Sequence, residues 1–208
     1  MVKRGAMSGY RQWEGVGRAH TGGTDREGEQ AMTTTVYARV ESPLGELLLV
    51  GEVPEGAAVD GGGSVRLVSL SVPEQRGGAV VRDDWLHAPE AFTEVAGQLA
   101  AYFAGRSTRF DVPLAEGVGT EFQRRVWAAL ESIPYGSTVS YGEVAARVGA
   151  SGAGVRAVGT AIGRNPLLVV RPCHRVIGAD GALRGYAGGL ERKKLLLGIE
   201  GGAGRAEA

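Results

Sequence analysis

The chain has 208 residues, and its 23 Lys and Arg balance 23 Asp and Glu, so its formal charge is zero. That balance excludes a protein whose net charge alone would dictate its partners, and 43% hydrophobic content supplies a core for one large domain or two small ones. One cysteine excludes an internal disulfide, no apolar run reaches the ~18 residues of a membrane-spanning helix, and the N-terminus lacks the apolar core of a secretory signal, so a cytoplasmic protein is expected.

Charge is unevenly placed. Between Gly117 and Gly201 eleven Lys and Arg face six Asp and Glu, a net of +5, and the remainder carries −5. Such an excess is compatible with phosphate binding.

Residues Met1 to Ala31 are rich in glycine and charge without an apolar period. Such a segment cannot offset its ordering entropy, so it is expected to be disordered, as are residues 202–208, and Met32 is a candidate functional start. From Thr33 the pattern changes. Val36 to Val40 alternates, Ser42-Pro43-Leu44-Gly45 makes a turn, and Glu46 to Val50 continues as a second strand. Gly56 to Gly63 forms a loop, Val65 to Val72 resumes a strand, and Gln75 to Ala88 is polar with no clear element. Phe92, Val95, Ala96, Leu99, Tyr102 and Phe103 recur at helical spacing, which predicts an amphipathic helix from about Pro89 to Ala104. Phe110 to Leu114 is a candidate short strand. Residues 32–116 therefore read as a small α+β domain. Without paired carboxylates, metal-spaced ligands or a phosphate loop, it is expected to be structural.

Residues 117–201 read as mostly helical. Thr120-Glu121-Phe122-Gln123 has the spacing of a capping box, and Phe122, Val126, Leu130 and Ile133 line one face of a helix that stops at Pro134. Ser140-Tyr141-Gly142-Glu143 is a second capping box, with Val139 and Val144 placed as its hydrophobic staple. That short helix ends near Gly149, and Ser151 is a candidate cap for the next, about Gly154 to Gly163. Val155, Val158 and Ile162 form its inward stripe; Arg156, Gly159, Thr160 and Gly163 form an outward face of little bulk. Two short helices joined by a glycine-containing turn read as a helix-turn-helix. The fold expected is α+β, a small sheet-plus-helix N-terminal domain followed by a mostly helical domain with a helix-turn-helix.

An apolar run, Leu167 to Val170, is expected to enter Pro172-Cys173-His174-Arg175 as a strand. A thiol beside an imidazole is the minimum kit for nucleophilic catalysis, because a free thiol with a pKa of ~8.5 is only slightly ionised at neutral pH. Gly185-Tyr186-Ala187-Gly188-Gly189 and a last helix, about Leu190 to Ile199, follow, with Glu200 at its end.

These residues together resemble the methylated-DNA–protein-cysteine methyltransferases, the O6-alkylguanine-DNA alkyltransferase family. The resemblance runs from about Met32 to Gly201 and is closest from Thr120 onward. It is carried by Pro-Cys-His-Arg at 172–175, Ser140-Tyr141, Arg156-Ala157-Val158-Gly159, Asn165-Pro166, Tyr186, Gly188-Gly189-Leu190 and Glu200. It implies repair of double-stranded DNA containing O6-alkylguanine, and O4-alkylthymine, by single-turnover transfer of the alkyl group to Cys173. His174 would deprotonate the thiol through a water, with Glu200 orienting the imidazole. Tyr141 would donate a proton toward the departing base. Arg156 would fill the gap left by the flipped nucleotide, with Ala157, Gly159, Thr160, Tyr141 and Ser140 also facing DNA. Asn165 would brace the turn before the active-site strand. Tyr186, Ala187, Gly188 and Val176 would bind the base. The chemistry agrees: a base inside a duplex cannot present its O6 substituent to a buried sulfur without leaving the stack.

Some members carry a serine where this chain has Ala187, so a hydrogen bond to the base there must come from backbone amides. Some bind zinc in the first domain; here no metal and no cofactor are expected. A monomer is expected. Two other readings fit parts of the pattern: a helix-turn-helix regulator without chemistry, which gives Cys173 no work, and a cysteine hydrolase using Cys173, His174 and Glu200.

Overall fold

Alternating burial along β1 (Thr33–Val40) turns Val36 and Ala38 inward, and the chain reverses at Ser42–Gly45 to pair antiparallel with β2 (Leu47–Pro54). Ser42 stabilises that turn, its hydroxyl accepting from the Leu44 amide at 3.1 Å. This computed structural model describes residues 33–56 and 65–201; the expectations for 1–32, for most of the glycine-rich loop and for 202–208 lie outside the described residues. β3 (Arg66–Ser71) joins β2 antiparallel, and β4 (Leu86–His87) joins β1 parallel, giving the order β3-β2-β1-β4. β4 arises inside the polar stretch that showed no element, because its two residues borrow their pairing from β1. The expected helix divides into a 3₁₀ turn, Pro89–Phe92, and α1 (Thr93–Phe103), whose Val95, Leu99 and Tyr102 are buried.

The outer edge of β3 is where the two halves of the chain meet. The Leu67 amide donates to Pro113 O at 2.8 Å and the Leu70 amide to Pro166 O at 2.9 Å; Ala115 and Leu168 return bonds to Leu67 and Leu70. Both contacts are isolated parallel bridges, so the candidate strand at 110–114 is reduced to one bridge at Leu114. They cover an edge that would otherwise present unpaired amides.

Both capping boxes form. Thr120 caps α2 (Glu121–Glu131) and Ser140 caps α3 (Tyr141–Arg147), each accepting from its N3 amide while Gln123 or Glu143 reaches back. Val139 and Val144 are buried, as the staple requires. Gly149, at φ 71°, ends α3, a left-handed position that glycine takes without strain. Ser151 does not cap α4 (Gly154–Gly163): the N-cap is Ala153, in helical conformation, with no side-chain cap. Ser151 lies two residues before that N-cap, in a turn where its carbonyl accepts from the Gly154 amide at 2.9 Å, so its hydroxyl is out of register with the helix. Trp127 of α2, 1% exposed, locks α4 in place by donating from Nε1 to Ala161 O at 2.9 Å.

Leu167 to Val170 is not a strand. Val170 N bonds Leu168 O at 2.8 Å around Val169, whose φ is 70°, a left-handed conformation costly for a β-branched residue. Cys173 then opens a 3₁₀ turn, Cys173–Arg175, followed by β6 (Val176–Ile177), which pairs parallel with β5 (Val139–Ser140). α5 (Leu190–Ile199) closes the fold. Among the described residues no helix is long and apolar enough to cross a membrane.

Trp127→Phe removes both ring volume and the bond that holds α4. It should lower unfolding stability by about 2 kcal/mol, read from urea denaturation; an unchanged midpoint would show that α4 is held elsewhere.

Candidate active site

Glu200 is 5% exposed at the end of α5, and its carboxylate collects five hydrogen bonds. Oε1 accepts from Tyr102 Oη at 2.6 Å, His174 Nε2 at 2.8 Å and Arg175 NH2 at 2.9 Å. Oε2 accepts from Arg175 Nε at 2.8 Å and the Gly136 amide at 3.2 Å. Burial alone would raise its pKa, but the bonds from His174, Arg175 and Tyr102 outweigh that and hold it well below the usual carboxylate range. His174 is fully buried, and burial pushes its pKa below 6.5 against the pull of Glu200. With Arg175 already neutralising the carboxylate, the ring stays uncharged at neutral pH. Nε2 carries the proton toward Glu200, which leaves Nδ1 bare; that buried atom has no partner among the described residues.

Cys173 is 4% exposed, and burial pushes its thiol up to about 11, opposed by a hydrogen bond from Asn165 and by the charge of Lys193. The resting sulfur is therefore a thiol, and a base must deprotonate it during reaction. Asn165 does more than brace a turn. Its Oδ1 accepts from Leu167 N, while Nδ2 lies 3.2 Å from Leu167 O, 3.0 Å from Arg171 O and 3.2 Å from Cys173 Sγ. One amide thus fixes the left-handed turn and points a donor at the sulfur.

The thiol opens on a cavity of about 490 Å³, within the range of small-ligand sites. Tyr141, at the start of α3, lines it, as do Gly159, Ile162 and Gly163 of α4 and Gly185 to Gly189 of the following loop. Ile162, on the stripe expected to pack inward, thus also forms cavity wall. Tyr141 Oη donates to Arg184 O at 2.9 Å, and burial raises its pKa, so the phenol keeps its proton. Tyr186, Ala187 and Gly188 border the cavity. A Cβ at Gly188 would lie 2.8 Å from Val72 Cγ2 and 2.9 Å from Tyr186 Cε1, so this position admits only glycine without displacement. Val176 is not among the lining residues: its side chain is fully buried and its carbonyl takes the Lys193 ammonium at 2.6 Å. Arg156, Ala157 and Thr160 are exposed on α4, Thr160 Oγ1 bonding Arg156 O at 3.1 Å. The Ser140 hydroxyl is engaged in capping α3. No cluster of His, Cys, Asp or Glu suited to a metal ion occurs among the described residues.

Three participants were not singled out from sequence. Lys193 is fully buried, its ammonium bonded to Val176 O, Arg184 O and Gly185 O, and burial lowers its pKa to about 8. Arg175 grips Glu200 through two nitrogens. Tyr102 reaches the same carboxylate from α1, in the half expected to be structural only. The Pro-Cys-His-Arg run hinted at Arg175; nothing local marks the other two.

His174 and Glu200 both titrate lower in the fold than their ordinary 6.5 and 4.5, so each stabilises above those values and loses that contribution as pH falls. Stability should decline below about pH 6.5 and more steeply below about 4.5. His174→Gln should flatten the slope between pH 7 and 5 in urea titrations; an unchanged slope there would contradict a neutral buried ring.

Residues 121–202 match the family model described as 6-O-methylguanine DNA methyltransferase, DNA binding domain. The methylated-DNA–protein-cysteine methyltransferase of Mycolicibacterium paratuberculosis is 49% identical over 164 residues, 79% of this chain and 91% of that one. Its namesake from Methanosarcina acetivorans is 47% identical over 165 residues, 79% and 97% of the two chains. Among solved structures, Mycobacterium tuberculosis OGT in complex with DNA superposes with a TM-score of 0.67 at 48% identity, covering 83% of this chain and 95% of that one. The O6-methylguanine-DNA methyltransferase of Pyrococcus kodakaraensis gives 0.56 at 25% identity, covering 80% and 99%. With a buried Cys-His-Glu array beside a helix-turn-helix and relatives of this similarity over most of its length, the chain belongs to the methylated-DNA–protein-cysteine methyltransferase family.

Proposed function

We propose that this protein repairs double-stranded DNA by moving the alkyl group of O6-alkylguanine, and of O4-alkylthymine, irreversibly onto Cys173. The observation that carries this reading is that the only thiol opens on a cavity walled by the helix-turn-helix. A damaged base everted from the duplex would enter there, with Arg156 filling the vacancy and Ala157, Gly159 and Thr160 allowing close backbone approach.

His174 Nδ1 would take the thiol proton through a water. The thiolate, steadied by Asn165, attacks the alkyl carbon; the S–C bond forms as the C–O bond breaks. Tyr141 turns its hydroxyl from the Arg184 carbonyl toward the leaving base and gives it a proton, and its phenolate then regains through water the proton that His174 took, so the net proton passes from sulfur to base. Tyr186, Ala187 and Gly188 hold the ring, while Val176 acts from behind by presenting its carbonyl to Lys193. The thioether product leaves no easy return, so each molecule acts once, as a monomer and without a cofactor. Residues 32–116 support the acceptor domain, residues 117–201. A reactive thiol that must stay reduced supports a cytoplasmic location.

Incubation with duplex DNA bearing O6-methylguanine should add about 14 Da, one CH₂, to the Cys173 peptide. An unmodified peptide would favour a DNA-binding regulator without chemistry. Cys173→Ala should abolish transfer yet keep DNA binding. Arg156→Ala should slow repair of duplex DNA by about tenfold or more while leaving attack on free O6-benzylguanine nearly unchanged, since unstacking costs a few kcal/mol. Equal losses on both substrates would remove its flipping role.

A further inference from the structure

The loop after β3 lines the same cavity as α4. Glu74 and Arg76 line the wall there, together with Arg192. The loop is tightly built. Gln75 N bonds Val72 O at 3.2 Å, Gly78 N bonds Gln75 O at 3.1 Å, Gln75 Oε1 accepts from Val72 N at 3.1 Å, and Ser71 Oγ accepts from Ala79 N at 3.1 Å. The Arg76 amide donates to Ala187 O at 3.2 Å, which ties the loop to the segment that borders the thiol cavity.

The two guanidinium groups differ in what holds them. Arg192 is committed: Nε donates to Leu44 O at 2.8 Å and NH1 to Gly188 O at 2.9 Å, which fixes a positive charge in the wall. Arg76 is exposed, and its side chain has no hydrogen bond or ion pair among the described residues, although Glu74 lies two positions away. An anchored backbone thus displays an uncommitted planar cation.

We propose that Arg76 contacts a backbone phosphate of the DNA strand that delivers the everted nucleotide. The inference rests on the function proposed above. A nucleotide swung into the cavity carries its flanking phosphates across the rim, and α4 and this loop both line that cavity. Guanidinium groups match phosphate geometry in paired hydrogen bonds, and such a contact positions the strand without reading its sequence. Arg192 adds fixed positive potential behind it. Glu74, in the same wall, opposes an approaching phosphate, so its removal should act with the opposite sign.

The test uses the full chain carrying Cys173→Ala, which stops turnover, and a labelled duplex containing O6-methylguanine, titrated by fluorescence anisotropy at several salt concentrations. Arg76→Ala should weaken binding about three- to tenfold at low salt and reduce the magnitude of the slope of log affinity against log salt by about 0.9, the release expected from one phosphate contact. Arg76→Lys should largely restore the slope, and Glu74→Gln should tighten binding. With Cys173 present, Arg76→Ala should react with free O6-benzylguanine at the unaltered rate. Unchanged affinity and slope in Arg76→Ala would overturn the proposal, as would an equal loss of rate on free O6-benzylguanine, which would place Arg76 on the base instead. If the unsubstituted protein forms no Cys173 adduct with methylated DNA, the wider function fails and this inference with it.

Discussion

Five hydrogen bonds on one buried carboxylate hold this protein's chemistry together. A lone ionised carboxyl in the interior would shift its pKa and neutralise; Glu200 stays charged because a bidentate guanidinium, a phenol, an imidazole and a backbone amide all converge on it. The donors come from α1, from the turn after α2 and from the segment bearing the thiol. Their convergence therefore fixes three parts of the chain relative to α5. Arg175 supplies the countercharge, which frees His174 from having to be an imidazolium. Burial does most to keep the ring neutral, and the arginine adds to it by opposing the pull of the carboxylate.

The sulfur is set up in a complementary way. A thiol raised to about 11 is almost wholly protonated at neutral pH, and reactivity follows the thiolate fraction. A protein that acts once per molecule gains from a nucleophile that is quiet until a base fills its cavity. The devices that favour the anion are already in place. Asn165 directs an amide donor at Sγ, the Lys193 charge stands nearby, and the bare Nδ1 of His174 offers a destination for the proton. Activation then requires no large rearrangement of the protein.

How much of this was legible follows from how local each signal is. Both capping boxes, the staple and the extent of α4 depend on residues within a turn of one another, and each forms as its spacing implies. Leu167 to Val170 misleads because an apolar run reads as a strand. Its actual path depends on the edge of β3, nearly a hundred residues earlier, and on Asn165, which together hold Val169 in a conformation its own side chain disfavours. Ser151 misleads because an extra turn follows it, so the helix begins with Ala153 as its N-cap and the serine hydroxyl is out of register. Lys193 is invisible for a different reason. A lysine on a charged helix is ordinarily solvated, and only three carbonyls supplied by distant loops make its burial possible. The same holds for Tyr102, whose partner is 98 residues away.

The two-residue ladder between β5 and β6 shows why nucleic-acid recognition and chemistry share one frame. Val139 pairs with Val176 and Ser140 with Ile177, so the residue that caps the first helix of the helix-turn-helix lies beside the strand that leaves the nucleophile. Tyr141 follows that cap directly, and its hydroxyl now rests on the Arg184 carbonyl. To serve a departing base as proposed above, it would abandon that acceptor, and giving up the bond would favour the resting position. Lys193 removes the obstacle. Its ammonium already bonds the Arg184 carbonyl at 2.8 Å and the Val176 carbonyl at 2.6 Å, so the loop keeps its donor when the tyrosine turns away. A lysine outside the cavity lining would thereby lower the cost of the proposed proton transfer, through a carbonyl it shares with Tyr141.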